Sequence, residues 1–328
     1  MRITVLSGGV GGARFTRGLL ALLRERLPDG AGGTTAQVTV VANTGDDLWL
    51  HGVRVCPDLD TLMYTLGGAV HEQQGWGRRD ESRRVSDDLA AYGLGWEWFT
   101  LGDLDLATHL ARTELLLSGV PLSAVTARLA ERWQPGVTLL PMSDDEVETH
   151  VETVDGRMMH FEEWWVLHRA GVPARRFVQV GLDGSTAGPG VLDALAGADV
   201  VVVPPSNPVV SVGTILAVPG VRDALRATAA PVVGVSPVIG GAPVRGMADA
   251  CLAAIDVATA AHAVARHYGR RADGGVLDAW LVDDADADAV APLRAEGWTV
   301  EAAPTLMTDV PATAAIAARA LALVDRLP

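Results

Sequence analysis

Three pairs of closely spaced aspartates lie within the first third of the chain. They are Asp46-Asp47, Asp58-x-Asp60 and Asp103-x-Asp105. Mg²⁺ prefers a few carboxylate oxygens together with the phosphates of a substrate. The pairs therefore predict a hard-cation site, with Asp46, Asp47 and Asp58 as the metal ligands. Helix capping is the alternative, because Asp58-Leu-Asp60 stands where a helix is expected to begin.

A glycine-rich segment, Ser7-Gly-Gly-Val-Gly-Gly12, follows the first apolar run of the chain. Glycines between a strand and a helix let the backbone approach an anion, and the helix N-terminus presents N–H groups to it. The segment therefore predicts phosphate or nucleotide binding by Ser7, Gly8, Gly9, Gly11, Gly12 and the nearby Arg14. A tight turn without a ligand is the alternative. A dinucleotide-binding fingerprint is incomplete, because position 14 is Arg where a third glycine would stand.

A polar helix face and a proline-rich turn are the other candidates for ligand binding. The helical pattern from Asp105 onward separates an apolar set, Leu106, Leu110, Thr113 and Leu117, from a polar set, Asp105, Thr108, His109 and Arg112. The polar set suits an anionic or polar ligand, although a solvated face is the alternative. In Pro204-Pro-Ser-Asn-Pro208, Ser206 and Asn207 follow a valine run and could contact a purine edge or a phosphate. A rigid crossover turn is the alternative there.

The charge of the chain excludes several kinds of chemistry. It contains no lysine, so all 26 basic residues are arginines, and its formal net charge is −14. A Schiff-base lysine and the lysine of a Walker A loop are therefore excluded. The acidic excess opposes binding to nucleic acid or to an anionic membrane surface, and we expect neither as a partner. With two cysteines, no apparent secretory signal and no long apolar run, the sequence predicts a cytoplasmic protein.

The elements that must position these residues form an α/β pattern. A short strand, the glycine segment, an amphipathic helix and a second buried strand at 38–42 make a β-α-β unit. We predict a Rossmann-like, mainly parallel sheet with an inserted helical region. Residues 1–328 would form one large α/β domain, with a helical and hairpin insertion at about 57–170. Within it, Asp155-Gly156 predicts a hairpin and Phe161-Glu-Glu-Trp-Trp-Val166 a strand.

Seven blocks of the sequence carry a resemblance to a known family. They are Asn43-Thr-Gly-Asp-Asp47, Pro57-Asp-Leu-Asp-Thr61, Gly75-Trp-Gly77, the segment 101–109, Pro141-Met-Ser-Asp-Asp145, Pro204-Pro-Ser-Asn-Pro-Val-Val-Ser211 and Ser236-Pro-Val-Ile-Gly-Gly241. In this order they resemble the 2-phospho-L-lactate transferase family of deazaflavin-coenzyme biosynthesis, from the N-terminus to about residue 249. The segments 161–165 and 245–249 resemble its actinobacterial branch, in which the group transferred is phosphoenolpyruvyl.

The resemblance implies an activity and a set of residues. The family transfers a phosphoenolpyruvyl or 2-phospho-L-lactyl group from a guanosine-diphospho-linked donor to the terminal ribityl hydroxyl of the deazaflavin Fo, releases GMP, uses Mg²⁺ and tends to form homodimers. Its Fo-contacting aspartate falls on Asp60, for which general-base assistance is a further role. We add Asp46 as a second catalytic residue and Thr108, His109 and Arg112 as Fo-binding residues, so that the insertion contributes to the acceptor site.

One position departs from the family pattern. Leu104 stands where the family commonly has a basic residue, and Arg112 or Arg83 would have to replace that cation. A non-catalytic regulatory protein of related fold that binds nucleotide-sugars is the alternative function. A nicotinamide oxidoreductase is a second alternative, which the incomplete dinucleotide fingerprint disfavours.

Overall fold

The computed structural model describes residues 1–94 and 98–327. The strands are β1 (Arg2–Ser7), β2 (Gln37–Ala42), β3 (Leu48–Leu50), β4 (Val53–Val55), β5 (Thr138–Pro141), β6 (Glu148–Thr153), β7 (Met158–His160), β8 (Ala174–Val180), β9 (Val200–Val203), β10 (Val232–Val235), β11 (Val238–Ile239), β12 (Ala242–Pro243), β13 (Ala279–Val282) and β14 (Thr299–Ala302). The α-helices are α1 (Val10–Arg26), α2 (Pro57–Leu66), α3 (Arg84–Ala91), α4 (Asp103–Leu117), α5 (Leu122–Trp133), α6 (Val191–Ala196), α7 (Val212–Ala217), α8 (Val221–Ala227), α9 (Ala248–Ala253), α10 (Ala261–Tyr268), α11 (Val290–Ala295) and α12 (Val310–Val324). A π-helix spans Glu163–Leu167, and 3₁₀-helices span Leu182–Gly184, Arg271–Asp273 and Asp284–Ala289.

The central sheet is parallel and has seven strands in the order β14-β13-β10-β9-β1-β2-β5. Strands β9 and β10 are buried along their whole length, as expected for parallel strands covered by helices on both faces. The chain runs outward from β1 in both directions, so the strand order reverses between β1 and β9. Ligands of open α/β sheets bind outside the carboxyl ends of the strands at such a point. The predicted α/β class with a mainly parallel sheet is confirmed.

Two apolar layers cover the sheet and fix the elements near β1. One layer joins inward residues of α1, α2 and α12, and the other joins residues of α7, α8 and α10. Helix α1 lies so close to α12 that a Cβ at Gly18 would overlap the side chain of Thr313. Among the described residues, no helix has the length and apolar character needed to cross a bilayer.

The region predicted as an insertion at about 57–170 contains two different structures. Helices α2 to α5 come first, and β5 then returns to the central sheet beside β2. After β5, the antiparallel sheet β7-β6-β8 extends to Val180. The hairpin predicted at Asp155-Gly156 is confirmed, because it joins β6 to β7.

The strand predicted at 161–166 is wrong, because this segment is helical and continues into the π-helix. Phe161 and Trp164 both pack into one apolar cluster with Val151 and Met159. Side chains three residues apart face the same way on a helical turn but opposite ways on a strand. The helical form therefore buries both aromatic rings together.

Candidate active site

Three loops meet at the carboxyl edge of the sheet, because β1 lies between β2 and β9. The glycine loop (residues 7–12) follows β1, the loop 43–47 follows β2, and the proline turn (residues 204–208) follows β9. Gly8 N donates to Ser206 Oγ at 3.2 Å, which ties the glycine loop to the proline turn. Thr149 N donates to Gly45 O at 2.5 Å, which brings the antiparallel sheet to the same edge.

Glycines are required in the glycine loop because neighbouring segments of the chain pack closely against its backbone. A Cβ at Gly9 would overlap the Asp58 carboxylate, and one at Gly11 would overlap the Pro205 carbonyl oxygen. Helix α1 begins at Val10 and has no side-chain cap. Its first N–H groups have no acceptor within the helix, so they are available to an anion.

Asn43 holds two of the predicted metal ligands together. Its Nδ2 donates to Asp46 Oδ2 at 3.1 Å and to Asp58 Oδ2 at 2.9 Å, while its Oδ1 accepts from Gly45 N at 2.9 Å. Asp58 also accepts a hydrogen bond from Gly9 N. The Asp46 and Asp58 carboxylates therefore lie beside the glycine loop, and the capping alternative for Asp58 is wrong, because no side chain caps α2.

A third carboxylate, that of Glu162, adds its charge to those of Asp46 and Asp58, and we call these three residues the acidic cluster (Asp46, Asp58 and Glu162). Burial raises the pKa of Glu162 to about 8, with Asp58 and Asp47 adding to the rise. Burial likewise raises the pKa of Asp58 to about 6. The pKa of Asp46 is raised well above its usual value, mainly by burial and then by the negative charges of Asp58 and Glu162. Sequence reasoning missed Glu162 because it placed the residue in a strand. The aromatic residues at positions 161 and 164 are three residues apart, and this spacing could have indicated a helical turn in place of the strand.

Asp47 lies in different surroundings from Asp46. Its Oδ2 is 4.0 Å from the guanidinium of Arg54, which is itself buried. Burial raises the pKa of Asp47 to about 7, while Arg54 opposes the rise. Of the three predicted metal ligands, the structure thus links Asp46 and Asp58 through Asn43 and places Asp47 beside a cation.

A second network, which we call the Asp60 network (Asp60, Tyr64, Asp105, His109 and Arg112), connects α2 to α4. Arg112 donates to Asp60 Oδ1, His109 Nδ1 lies 3.5 Å from Asp60 Oδ2, and His109 Nε2 lies 3.4 Å from Asp105 Oδ2. Tyr64 donates to Asp105 Oδ1 at 2.6 Å. The Oδ2 atom of Asp60 and the Nε atom of Arg112 are buried and have no hydrogen-bond partner among the described residues. The network therefore retains hydrogen-bonding capacity for a ligand.

Asp60, Asp105 and His109 also have ligand atoms within 4.8 Å of one another, as a metal site would. The guanidinium of Arg112 already supplies positive charge to Asp60. Burial raises the pKa of Asp60, and Arg112 and His109 oppose this rise. These residues are therefore better suited to a polar ligand than to a second cation.

Helix α4 turns its polar side inward. Thr108, His109 and Arg112 are buried, whereas Leu110 is 54% and Leu117 is 78% exposed. The alternative of a solvated polar face is wrong for this reason. Thr108 also lines a groove of about 250 Å³ between α4 and α5.

The basic group beside position 104 is a residue that sequence reasoning did not select. Arg78 donates to the Leu104 carbonyl at 2.7 Å, and its guanidinium lies 4.8 Å from the ring centre of Trp133. Arg83 is exposed and faces Asp87 at 3.8 Å, and Arg112 pairs with Asp60. Arg78 is therefore the basic group beside Leu104.

The two remaining nucleotide-binding candidates have hydrogen bonds of their own. Arg14 donates to the Glu72 carbonyl at 3.2 Å, and burial and then Arg245 lower its pKa. Asn207 Oδ1 accepts from Val209 N at 2.9 Å and from Val210 N at 3.2 Å. Asn207 thus stabilises the proline turn, as the crossover-turn alternative requires.

Comparison with known proteins identifies the family. The model of the family described as "2-phospho-L-lactate transferase CofD" matches residues 3–317. Proteins named phosphoenolpyruvate transferase from Streptomyces coelicolor and Thermobifida fusca are 56% and 57% identical to this chain, covering 100% and 98% of it and 99% and 98% of their own lengths. A Mycobacterium protein of the same name is 54% identical over 98% of this chain and 97% of its own.

The fold has a counterpart among solved structures. A crystal structure of a UPF0052 family protein from Bacillus halodurans matches with a TM-score of 0.61 at 18% identity, covering 98% of both chains. At this identity the likeness concerns the fold alone. The family model and the full-length relatives go further: the chain belongs to the 2-phospho-L-lactate transferase family, a family of transferases.

Proposed function

We propose that the chain transfers a phosphoenolpyruvyl or 2-phospho-L-lactyl group from a guanosine-diphospho-linked donor to the terminal ribityl hydroxyl of Fo. The hydroxyl oxygen forms a bond to the phosphorus that carries the three-carbon acid. The bond from that phosphorus to GMP breaks, and the hydroxyl proton leaves. The name shared by the relatives, phosphoenolpyruvate transferase, favours the enolpyruvyl donor.

The observation that carries this proposal is the position of the acidic cluster. Asp46 and Asp58 are held by Asn43 beside the glycine loop and the uncapped start of α1, at the switch point of the sheet. A diphosphate placed there would meet backbone N–H groups from α1, and a cation held by the carboxylates would neutralise its charge. Phosphoryl transfer depends mainly on positioning and on electrostatic stabilisation of this kind.

Mg²⁺ fits the residues that are present. Asp46 Oδ1 is buried and makes no hydrogen bond to any residue that the structure describes, so this atom is available to a cation. Asp46 and Asp58 would hold the ion, and when bound it supplies positive charge to the donor phosphates.

The Asp60 network is the proposed site for the Fo hydroxyl groups. Within residues 1–94 and 98–327, Asp60 Oδ2 is a buried acceptor without a hydrogen bond, so it can accept one from a hydroxyl group. Arg112 holds the other carboxylate oxygen and thereby fixes the orientation of Asp60. General-base assistance by Asp60 would act on the same hydroxyl.

Mass spectrometry of the reaction products tests the proposal. Fo is incubated with the enolpyruvyl donor or with the lactyl donor, and we expect GMP together with the phosphodiester of Fo. Absence of product with both donors, combined with binding of a nucleotide-sugar, would favour the regulatory alternative. We also propose that the protein is cytoplasmic and forms a homodimer. Light scattering would measure the mass of the assembly and thus test the dimer.

A further inference from the structure

Three arginines bind one short segment of the chain, residues 72–75. From α1, Arg14 donates to the Glu72 carbonyl at 3.2 Å. Arg17, on the same helix, pairs with the Glu72 carboxylate at 2.6 Å. Arg245, which is distant in sequence, donates to the carbonyls of the next two residues of the segment, each at 2.8 Å. Folding therefore gathers three positive charges, which we call the arginine group (Arg14, Arg17 and Arg245), in a chain whose net charge is −14.

The arginine group is only partly neutralised by its surroundings. Among residues 1–94 and 98–327, Glu72 is the only carboxylate within 4.0 Å of the three guanidiniums. Burial, followed by the charges of Arg245 and Arg17, lowers the pKa of Arg14, as expected where like charges lie together. A guanidinium has five N–H donors, and in the described part of the chain Arg245 uses two of them. Since Arg245 is exposed, its remaining N–H groups are available to an anion.

Arg245 lies beside the proposed donor site. A Cβ at Gly75 would be 2.7 Å from Arg245 Nη1 and 2.8 Å from Val10 Cγ1, so the guanidinium is next to the first residue of α1. The N-terminus of this helix, which no side chain caps, is the position proposed for the donor diphosphate. Arg245 is therefore close enough to contact a group that is attached to this diphosphate.

We infer that Arg245 binds the carboxylate of the three-carbon acid in the donor. This carboxylate is the charge of the donor that neither the N–H groups of α1 nor the proposed cation would neutralise. A guanidinium matches a carboxylate with two parallel hydrogen bonds. The inference rests on the proposed function and deepens it, because it names a residue that would distinguish the donor from GDP, which lacks the carboxylate.

Calorimetry in the absence of Fo tests the inference. The enolpyruvyl donor and GDP are titrated separately into the full chain with Mg²⁺ present. We expect Arg245→Gln to weaken donor affinity at least ~tenfold, the effect of losing a charged hydrogen-bond partner, and to leave GDP affinity within about twofold. Arg245→Lys should recover only part of the donor affinity, because an ammonium group cannot form the two parallel hydrogen bonds. The matched control is Arg17→Gln, which also loses a contact with the segment 72–75, and it should leave both affinities within about twofold.

The two ligands separate this role from a structural one. If Arg245 only holds the segment 72–75 in place, Arg245→Gln should weaken GDP and donor binding equally, and Arg17→Gln should resemble it. Either of these results, or an unchanged donor affinity in Arg245→Gln, would overturn the inference. If the unmodified chain bound the donor through Arg245 but transferred nothing to Fo, only the proposed function would be contradicted. If it bound no donor at all, both would be contradicted.

Discussion

Asp58 and Asp60 stand two residues apart on α2, yet their carboxylates belong to different networks. Asp58 accepts hydrogen bonds from Asn43 and Gly9, beside the glycine loop. Asp60 pairs with Arg112 on α4. Residues two apart on a helix point about 200° from each other, since each residue advances the helix by about 100°. One short helix therefore lies between the proposed donor site and the proposed acceptor site and contributes a carboxylate to each.

The Asp60–Arg112 pair should contribute to stability. Asp60→Asn leaves the buried Arg112 guanidinium without a charged partner, and breaking a buried pair typically costs about 3–5 kcal/mol. We expect a loss on the order of 3 kcal/mol in urea unfolding, and a loss of at least ~100-fold in turnover by the folded variant. The double variant Asp60→Asn, Arg112→Met should recover part of the stability. If Asp60→Asn unfolded at the same urea concentration as the unmodified chain, the stabilising role of the Asp60–Arg112 pair would be contradicted.

Metal removal should abolish transfer. Because the proposed donor diphosphate and the acidic cluster are both negative, they repel each other unless a cation lies between them. We expect turnover to disappear in excess EDTA and to return when Mg²⁺ is added. Full activity in EDTA, measured as GMP release, would contradict the metal site.

Gly11 should be intolerant of a side chain. A Cβ there overlaps the Pro205 carbonyl oxygen, a backbone atom that cannot rotate away. We expect Gly11→Ala to lose about 1–3 kcal/mol of stability, as overpacked sites do, and to weaken GDP binding because the loop must shift. Gly184→Ala is the control, since a Cβ at Gly184 meets nothing within 4 Å. If Gly11→Ala and Gly184→Ala had the same stability in denaturation and the same GDP affinity in calorimetry, the close approach of Gly11 to the Pro205 carbonyl would be excluded.

Asn207 offers a test that separates turn formation from base recognition. Its Oδ1 accepts two backbone N–H groups, and Asp preserves that acceptor while replacing the amide N–H₂ group. We expect Asn207→Ala to lose about 1–2 kcal/mol of stability, a typical cost of removing a cap. Asn207→Asp should keep its stability but lose about 1–3 kcal/mol in guanosine diphosphate affinity. Unchanged affinity in Asn207→Asp would mean that the side chain only stabilises the turn.

Stability of the metal-free chain should fall as the pH rises toward 8. Burial raises the pKa of Glu162 from 4.5 to about 8, so the folded chain retains a proton that the unfolded chain loses. In that window the folded state binds more protons, and the free energy of unfolding decreases with increasing pH. Glu162→Gln should flatten the profile between about pH 6.5 and pH 8. An identical slope in both proteins, measured by urea unfolding, would show that Glu162 is not protonated in the folded state.

The sequence was sufficient to predict the sheet and the loops at its edge. Valine runs and the β-α-β pattern indicated parallel strands, and the carboxyl ends of such strands bring the glycine loop and Asn43 together. The sequence was not sufficient to sort the aspartates, because Asp46 and Asp47 are adjacent and chemically identical. Their difference arises from Arg54 on β4, which approaches Asp47 through tertiary packing.

Helix α4 shows a second limit of periodicity. The spacing of polar and apolar residues divides the helix only in part, because Thr113 of the apolar set is buried and accepts a hydrogen bond from Arg54 N. It also does not state which side faces the protein. Partners on α2, above all Asp60, draw His109 and Arg112 inward. Leu110 and Leu117 remain exposed to solvent. The orientation of α4 is therefore decided by packing against α2 and not by the hydropathy of its residues alone.

The pairing of β1 with both β2 and β9 has a consequence for folding. Gly8 is hydrogen-bonded to Ser206, 198 residues further along the chain. Contacts of such long sequence separation form late, because the loop that they close is entropically costly. During synthesis the glycine loop must therefore wait for β9 and the proline turn to emerge. A nascent chain that stops before residue 200 could pair β1 with β2, but it would lack the proline turn that closes one side of the proposed donor site.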